Sequence, residues 1–120
     1  MKRILIIEDT PDNRQILRDL LSAAGYALIE AADGAAGVAA ALAHRPDLIL
    51  MDMQLPGLDG YEATRRIRAC PATANIPVIA VTSYALSGDE AKARAAGCDA
   101  YVTKPFSPRA LLATIRDILA

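Results

Sequence analysis

Four short stretches place oxygen-rich or basic side chains at the ends of apolar runs. They are "IIED" with Glu8 and Asp9, "LILMDMQLPGLDG" with Asp52, "VTS" with Thr82 and Ser83, and "YVTKP" with Lys104. A carboxylate at the mouth of an apolar run is costly unless a cation, a donor or a solvent-facing rim compensates it. Three carboxylates converging there would repel one another and would be partly protonated unless a positive charge sat among them. Oxygen donors with no His or Cys nearby select a hard ion. A small carboxylate set that leaves room for water and phosphate suits Mg²⁺ better than an enclosing Ca²⁺ cage. Lys104 adds a compact charge that meets phosphate as a point donor. Thr82 adds a hydroxyl and, with Ser83, backbone N–H groups. Carboxylates accept phosphoryl groups as aspartyl phosphate, so the inventory reads as a phosphoryl site built on Asp52.

These residues need elements that bring them together. Five aliphatic runs, at 3–8, 26–30, 47–51, 77–81 and 100–103, read as strands. Between and after them, "PDNRQILRDLLSAAG", "GAAGVAAALAHR", "DGYEATRRIRA", "SGDEAKARAAG" and "SPRALLATIRDILA" read as helices. The first carries Ile16, Leu17, Leu20 and Leu21 at helical spacing, and the second is rich in Ala, the best helix former. Thr10-Pro11 and Ser107-Pro108 each set a capping hydroxyl before a first-turn proline, and Asp59 with Glu62 and Ser87 with Glu90 have capping-box spacing. Gly25 and Gly97 fall where a helix should stop in a left-handed residue. Continuously apolar strands alternating with helices predict an α/β fold whose parallel sheet is covered on both faces. Ligands bind such sheets at the carboxyl ends of the strands, and four of the five runs deliver the polar residues to that rim.

Composition sets the limits. The 120 residues suit one domain, 1–120, and 53% hydrophobic residues suffice for a core. Lys+Arg of 13 against Asp+Glu of 14 leaves no basic footprint for nucleic acid. The apolar run of "MKRILIIED" is too short to span a membrane or act as a signal peptide. Two separated cysteines, Cys70 and Cys98, fit a reducing cytoplasm.

Taken together, "IIED", "LILMDMQLPGLDGYE", "IPVIAVTSYA" and "GCDAYVTKPFSP" resemble, in order and spacing, the response-regulator receiver domain of two-component signalling. The resemblance covers essentially the whole chain. It implies a flavodoxin-like (βα)5 fold with strand order 2-1-3-4-5. It implies Asp52 as phosphoacceptor, with Glu8 and Asp9 holding Mg²⁺ alongside the Asp52 carboxylate and the Gln54 backbone carbonyl. Lys104 would contact the phosphoryl oxygens, a cis peptide would precede Pro105, and Thr82 and Tyr101 would be the switch residues, with Tyr101 swinging inward behind Thr82. Gln54 and Ser83 would offer backbone contacts to the phosphoryl group. The implied partners are a histidine kinase or histidine phosphotransfer protein and a downstream target. The target would dock on helix 4, strand 5 and helix 5, a surface that includes Lys92, Tyr101, Thr103 and Arg109. No nucleic acid or membrane partner is implied, and the expected state is a monomer.

Each residue also has an ordinary reading. Asp52 could be a turn residue, Glu8 and Asp9 could favour the positive end of the first helix, Lys104 could be a surface lysine, and Thr82 and Tyr101 could be packing residues of strands. His44 reads as a helix-end or solvent-facing residue, not a phosphodonor. Three functions compete: a phosphorylation switch, a hydrolase working through an aspartyl phosphate, and a receiver that only binds. Position 54 is Gln where such hydrolases carry an acid, and the acidic pair, aspartate and lysine are all retained, so the switch is the expected function. Its own chemistry would be limited to acquiring and hydrolysing the phosphoryl group. The chain ends where the last helix should end, as expected of a stand-alone receiver, although a receiver from a hybrid histidine kinase would read the same way.

Overall fold

A computed structural model describes residues 1–83 and 88–120. The strands are β1 (Arg3–Ile7), β2 (Ala27–Ala31), β3 (Leu48–Asp52), β4 (Val78–Thr82) and β5 (Ala100–Thr103), all parallel in one sheet of order β2-β1-β3-β4-β5. Among the described residues the helices are α1 (Pro11–Ala23), α2 (Gly34–His44), α3 (Gly60–Ala69), α4 (Asp89–Ala96) and α5 (Pro108–Leu119). The expected flavodoxin-like alternation and order are therefore present.

Successive strand residues point to opposite faces of a sheet, and here both faces are apolar. Leu5, Ile7, Ile49, Met51, Val78 and Ala80 turn to one layer with Ala41, Ala63, Ile67, Ala93 and Ala96 from α2, α3 and α4. Ile4, Ile6, Leu48, Leu50, Ile79 and Val81 turn to the other with Leu17, Leu21, Leu111 and Ile115 from α1 and α5. The three inner strands are buried almost throughout, whereas the edge strands β2 and β5 are only partly covered. Burying a large aliphatic side chain is worth roughly 1.5–3 kcal/mol, so these two layers are the main source of stability.

Local punctuation follows the expected chemistry with two corrections. Ser107 Oγ accepts from Ala110 N at 3.3 Å, and Asp59 Oδ1 accepts from Glu62 N at 2.8 Å. Gly25 and Gly97 take positive φ at the ends of α1 and α4. Thr10 occupies the N-cap of α1, but its side chain makes no capping hydrogen bond, so proline and Asp12 in the first turn start that helix without it. Ile16, expected in the apolar stripe, is 55% exposed. Leu17 and Leu21 meet the core, and Ile16 instead lines a groove between α1 and the β5–α5 connection. The Ser87–Glu90 capping box lies outside the described residues. Asp33, which sequence patterning did not single out, caps α2 through Ala36 N at 2.7 Å.

Candidate functional site

Register brings the polar residues to one rim. Ile7 pairs with Met51 and Asp52 with Val81, so Glu8, one residue past β1, falls beside Asp52 at the end of β3. Thr82 pairs with Thr103, and Lys104 N donates to Thr82 O at 2.7 Å, which fixes the lysine one residue past β5. Asp52 and Thr82 are the last residues of their strands, one step further into the sheet than the sequence runs suggested. The Lys104-Pro105 peptide is cis.

Gly60 allows the loop after β3 to fold tightly over this rim. A Cβ at Gly60 would lie 2.4 Å from the Asp52 carbonyl oxygen and 2.7 Å from Met53 Cα, distances no real Cβ occupies. The N-terminus of α3 can thus approach the backbone of Asp52 only because residue 60 has no side chain.

Glu8, Asp9 and Asp52 each present a carboxylate oxygen within 4.8 Å of the others. Asp52 is 5% exposed and Glu8 2%. Lys104 Nζ donates to Glu8 Oε1 at 2.8 Å and lies 3.4 Å from Asp52 Oδ2. The Gln54 backbone N–H donates to Asp52 Oδ1 at 2.9 Å. Arg14 Nη1 donates to the carbonyls of Glu8 at 2.9 Å and Asp9 at 3.3 Å, pinning the acidic pair from α1.

The electrostatics follow from crowding. Burial and the neighbouring Glu8 push the Asp52 carboxyl up to about 7, against the opposing pull of the Gln54 N–H and Lys104. For Glu8, burial opposes ionisation, but hydrogen bonds from Asp52 and Lys104 outweigh it and hold the group below its ordinary value. Lys104 is likewise penalised by burial, yet Glu8 and Asp52 hold its pKa above that of a free lysine. Asp52 and Glu8 thus behave as a pair sharing a proton, as closely placed carboxylates do when positive charge is insufficient.

The residues predicted for the site come together: Glu8, Asp9, Asp52, Gln54, Thr82, Ser83 and Lys104 lie on the same rim. Tyr101 is partly buried on β5, packed against the α2–α3–α4 layer. Arg14 and the side chain of Gln54 were not anticipated. A cation just past the first turn of a helix runs against the dipole preference, which was the available signal for Arg14. For Gln54 the signal was a polar residue between the buried Met53 and Leu55. Cys98 is buried and Cys70 partly buried, both as free thiols.

The response regulator receiver domain model matches residues 4–116, and the chain belongs to that family. It is 43% identical over 118 residues to the polar-differentiation response regulator DivK of Brucella anthropi, covering 98% of this chain and 96% of that protein. Among solved structures, the receiver domain of sensor histidine kinase PA1611 from Pseudomonas aeruginosa, with a magnesium ion coordinated in its active site cleft, superposes with a TM-score of 0.92 at 40% identity. That likeness covers 98% of this chain and 97% of the other. The chemotaxis protein CheY4 of Vibrio cholerae superposes with a TM-score of 0.93 at 29% identity, covering 99% of each chain. Receiver domains are phosphoacceptors that turn over no separate substrate, and they work with histidine kinases or phosphotransfer proteins and with downstream targets. No helix among the described residues is long and apolar enough to cross a membrane.

Proposed function

We propose that residues 1–120 act as one receiver domain in which Asp52 accepts a phosphoryl group from a phosphohistidine on a histidine kinase or phosphotransfer protein. One observation carries the reading. The buried Asp52 carboxylate lies within 4.8 Å of two further acidic side chains and 3.4 Å from the Lys104 ammonium at the rim of the sheet. That is a nucleophile with a cation-binding set and a phosphate-binding charge around it.

The donor set fits Mg²⁺: three carboxylates supply hard oxygen ligands, with the Gln54 backbone carbonyl as a fourth candidate. When bound, the ion would neutralise the acidic cluster and offset charge on the transferring phosphoryl group. Asp52 Oδ forms the bond to phosphorus as the P–N bond to imidazole breaks, the electron pair leaving on the imidazole nitrogen. Lys104, already aimed at Asp52 Oδ2, takes up charge on the phosphoryl oxygens. The Thr82 hydroxyl and the Ser83 N–H lie at the neighbouring strand end to engage the product. The half-buried Tyr101 and the exposed Lys92, Thr103 and Arg109 form the surface that would carry the change to a target.

Labelled phosphohistidine on a phosphotransfer protein is the direct test. Wild type should remove the label in the presence of Mg²⁺, and Asp52→Asn should leave it on the donor. Equal transfer to both proteins would overturn the assignment.

A further inference from the structure

One side chain at the site already holds the groups that a phosphoryl oxygen would need. Gln54 Nε2 donates to Thr82 Oγ1 at 2.7 Å, and Gln54 Oε1 accepts from the Ser83 backbone N–H at 2.8 Å. The two bonds define the orientation of the carboxamide. A backbone nitrogen can only donate, so Oε1 must face Ser83 and Nε2 is left for the hydroxyl. The same residue donates its own N–H to Asp52 Oδ1, so the loop after β3 reaches the phosphoacceptor and the end of β4 together.

The two bonds have different consequences. A hydroxyl can accept from Nε2 and still donate its own proton, but its oxygen is fixed in place by the contact. A backbone N–H has a single proton to give. While Oε1 holds it, a phosphoryl oxygen on Asp52 cannot have it.

We propose that the Gln54 carboxamide is a positioning latch that holds Thr82 and Ser83 in the unphosphorylated arrangement and must release the Ser83 N–H for the phosphorylated one. This rests on Asp52 being the phosphoacceptor. The amide oxygen stands in for a phosphoryl oxygen on the β4 side, so the site starts with its donor satisfied and the activated arrangement is the less populated one. A phosphoryl group shifts that balance only by outcompeting the amide, because a ligand moves an equilibrium by its differential interaction with the two states. The side chain at position 54 then sets how much phosphoryl binding is spent on opening the latch, independently of the backbone carbonyl proposed for Mg²⁺.

The test uses beryllium fluoride, which mimics a phosphoryl group on a carboxylate. Mg²⁺-saturated wild type, Gln54→Met and Gln54→Ala are titrated while the Ser83 amide resonance is followed. Met keeps the length and fills the space without either hydrogen bond, and Ala removes the side chain. Both variants should bind about 3- to 30-fold more tightly than wild type, the effect of removing the exposed bond to Ser83 together with the partly buried one to Thr82. Their Ser83 amide should also exchange faster before the mimic is added. General damage to the site would weaken binding, so the direction of change separates a latch from a merely structural contact. Unchanged or weaker binding in the folded Gln54→Met protein would overturn the latch while leaving Asp52 as acceptor. Failure of wild type itself to bind the mimic would overturn both.

Discussion

Two charged networks sit at opposite ends of β4, and their difference separates function from support. At the amino end, Arg68 from α3 donates to the carbonyls of Gly97 at 3.0 Å, Ala74 at 3.2 Å and Ile76 at 2.5 Å, and to Asp99 Oδ2 at 2.8 Å. Asp99 Oδ2 also accepts from Val78 N at 2.9 Å. One cation meets one carboxylate, and its remaining N–H groups face carbonyls. At the carboxyl end, three carboxylates crowd together with Lys104 bonded to two of them. The first network is balanced by the chain itself. The second has an excess of negative charge that a divalent cation would offset, and there burial, reinforced by the neighbouring Glu8, pushes the Asp52 carboxyl up to about 7. A fold retains such an imbalance at a cost in stability, and functional sites are where that cost is commonly found.

If this contrast is sound, the two networks must respond oppositely to substitution. Arg68→Ala strips the partner from three half-buried carbonyls and should lower stability by about 2–4 kcal/mol, while Asp99→Ala, losing a more exposed partner, should cost about 1 kcal/mol. Chemical denaturation measures both. Neither variant should lose the capacity for phosphorylation at a temperature where it remains folded, and such a loss would join the two networks into one.

Asp52→Asn should do the reverse and stabilise the metal-free protein at alkaline pH, by something on the order of 1–3 kcal/mol. The ordinary value for this carboxyl is 3.8, and the folded protein raises it to about 7. Between these values the folded state keeps a proton that the unfolded chain releases, so stability falls as pH rises through that window. An amide has no such proton, so the gap between variant and wild type should be largest near pH 8 and shrink toward pH 4. Urea unfolding at both pH values without Mg²⁺ reads it out. A gap independent of pH would mean that Asp52 is not strained by its neighbours.

Much of this arrangement was legible in the sequence because it is local chemistry repeated at strand ends. Strand runs, proline-started helices and helix-ending glycines give the βα alternation, and a parallel sheet brings all strand carboxyl ends to one rim. The Asp52 carboxylate and its companions could therefore be assembled from position alone. What sequence patterning could not supply was side-chain reach. Ile16 has core spacing, yet α1 buries Leu17 and Leu21 and leaves Ile16 largely exposed. Thr10 is a good capping residue that makes no capping bond, whereas Asp33 caps its helix without any hydroxyl-proline signal. Arg14 reaches back to backbone carbonyls in the β1–α1 connection, and the Gln54 carboxamide reaches the Thr82 hydroxyl and the Ser83 N–H at the end of β4; backbone groups carry no sequence label. The Arg68 network was missed for the same reason: three of its four acceptors are main-chain carbonyls.

The central claim is that Asp52 is a Mg²⁺-dependent phosphoacceptor. Intact-protein mass after incubation with acetyl phosphate, with and without Mg²⁺, tests it most directly. Wild type should gain a single phosphoryl group only when Mg²⁺ is present, and Asp52→Asn should gain none. An equal gain in Asp52→Asn, or a gain in wild type indifferent to Mg²⁺, would contradict it.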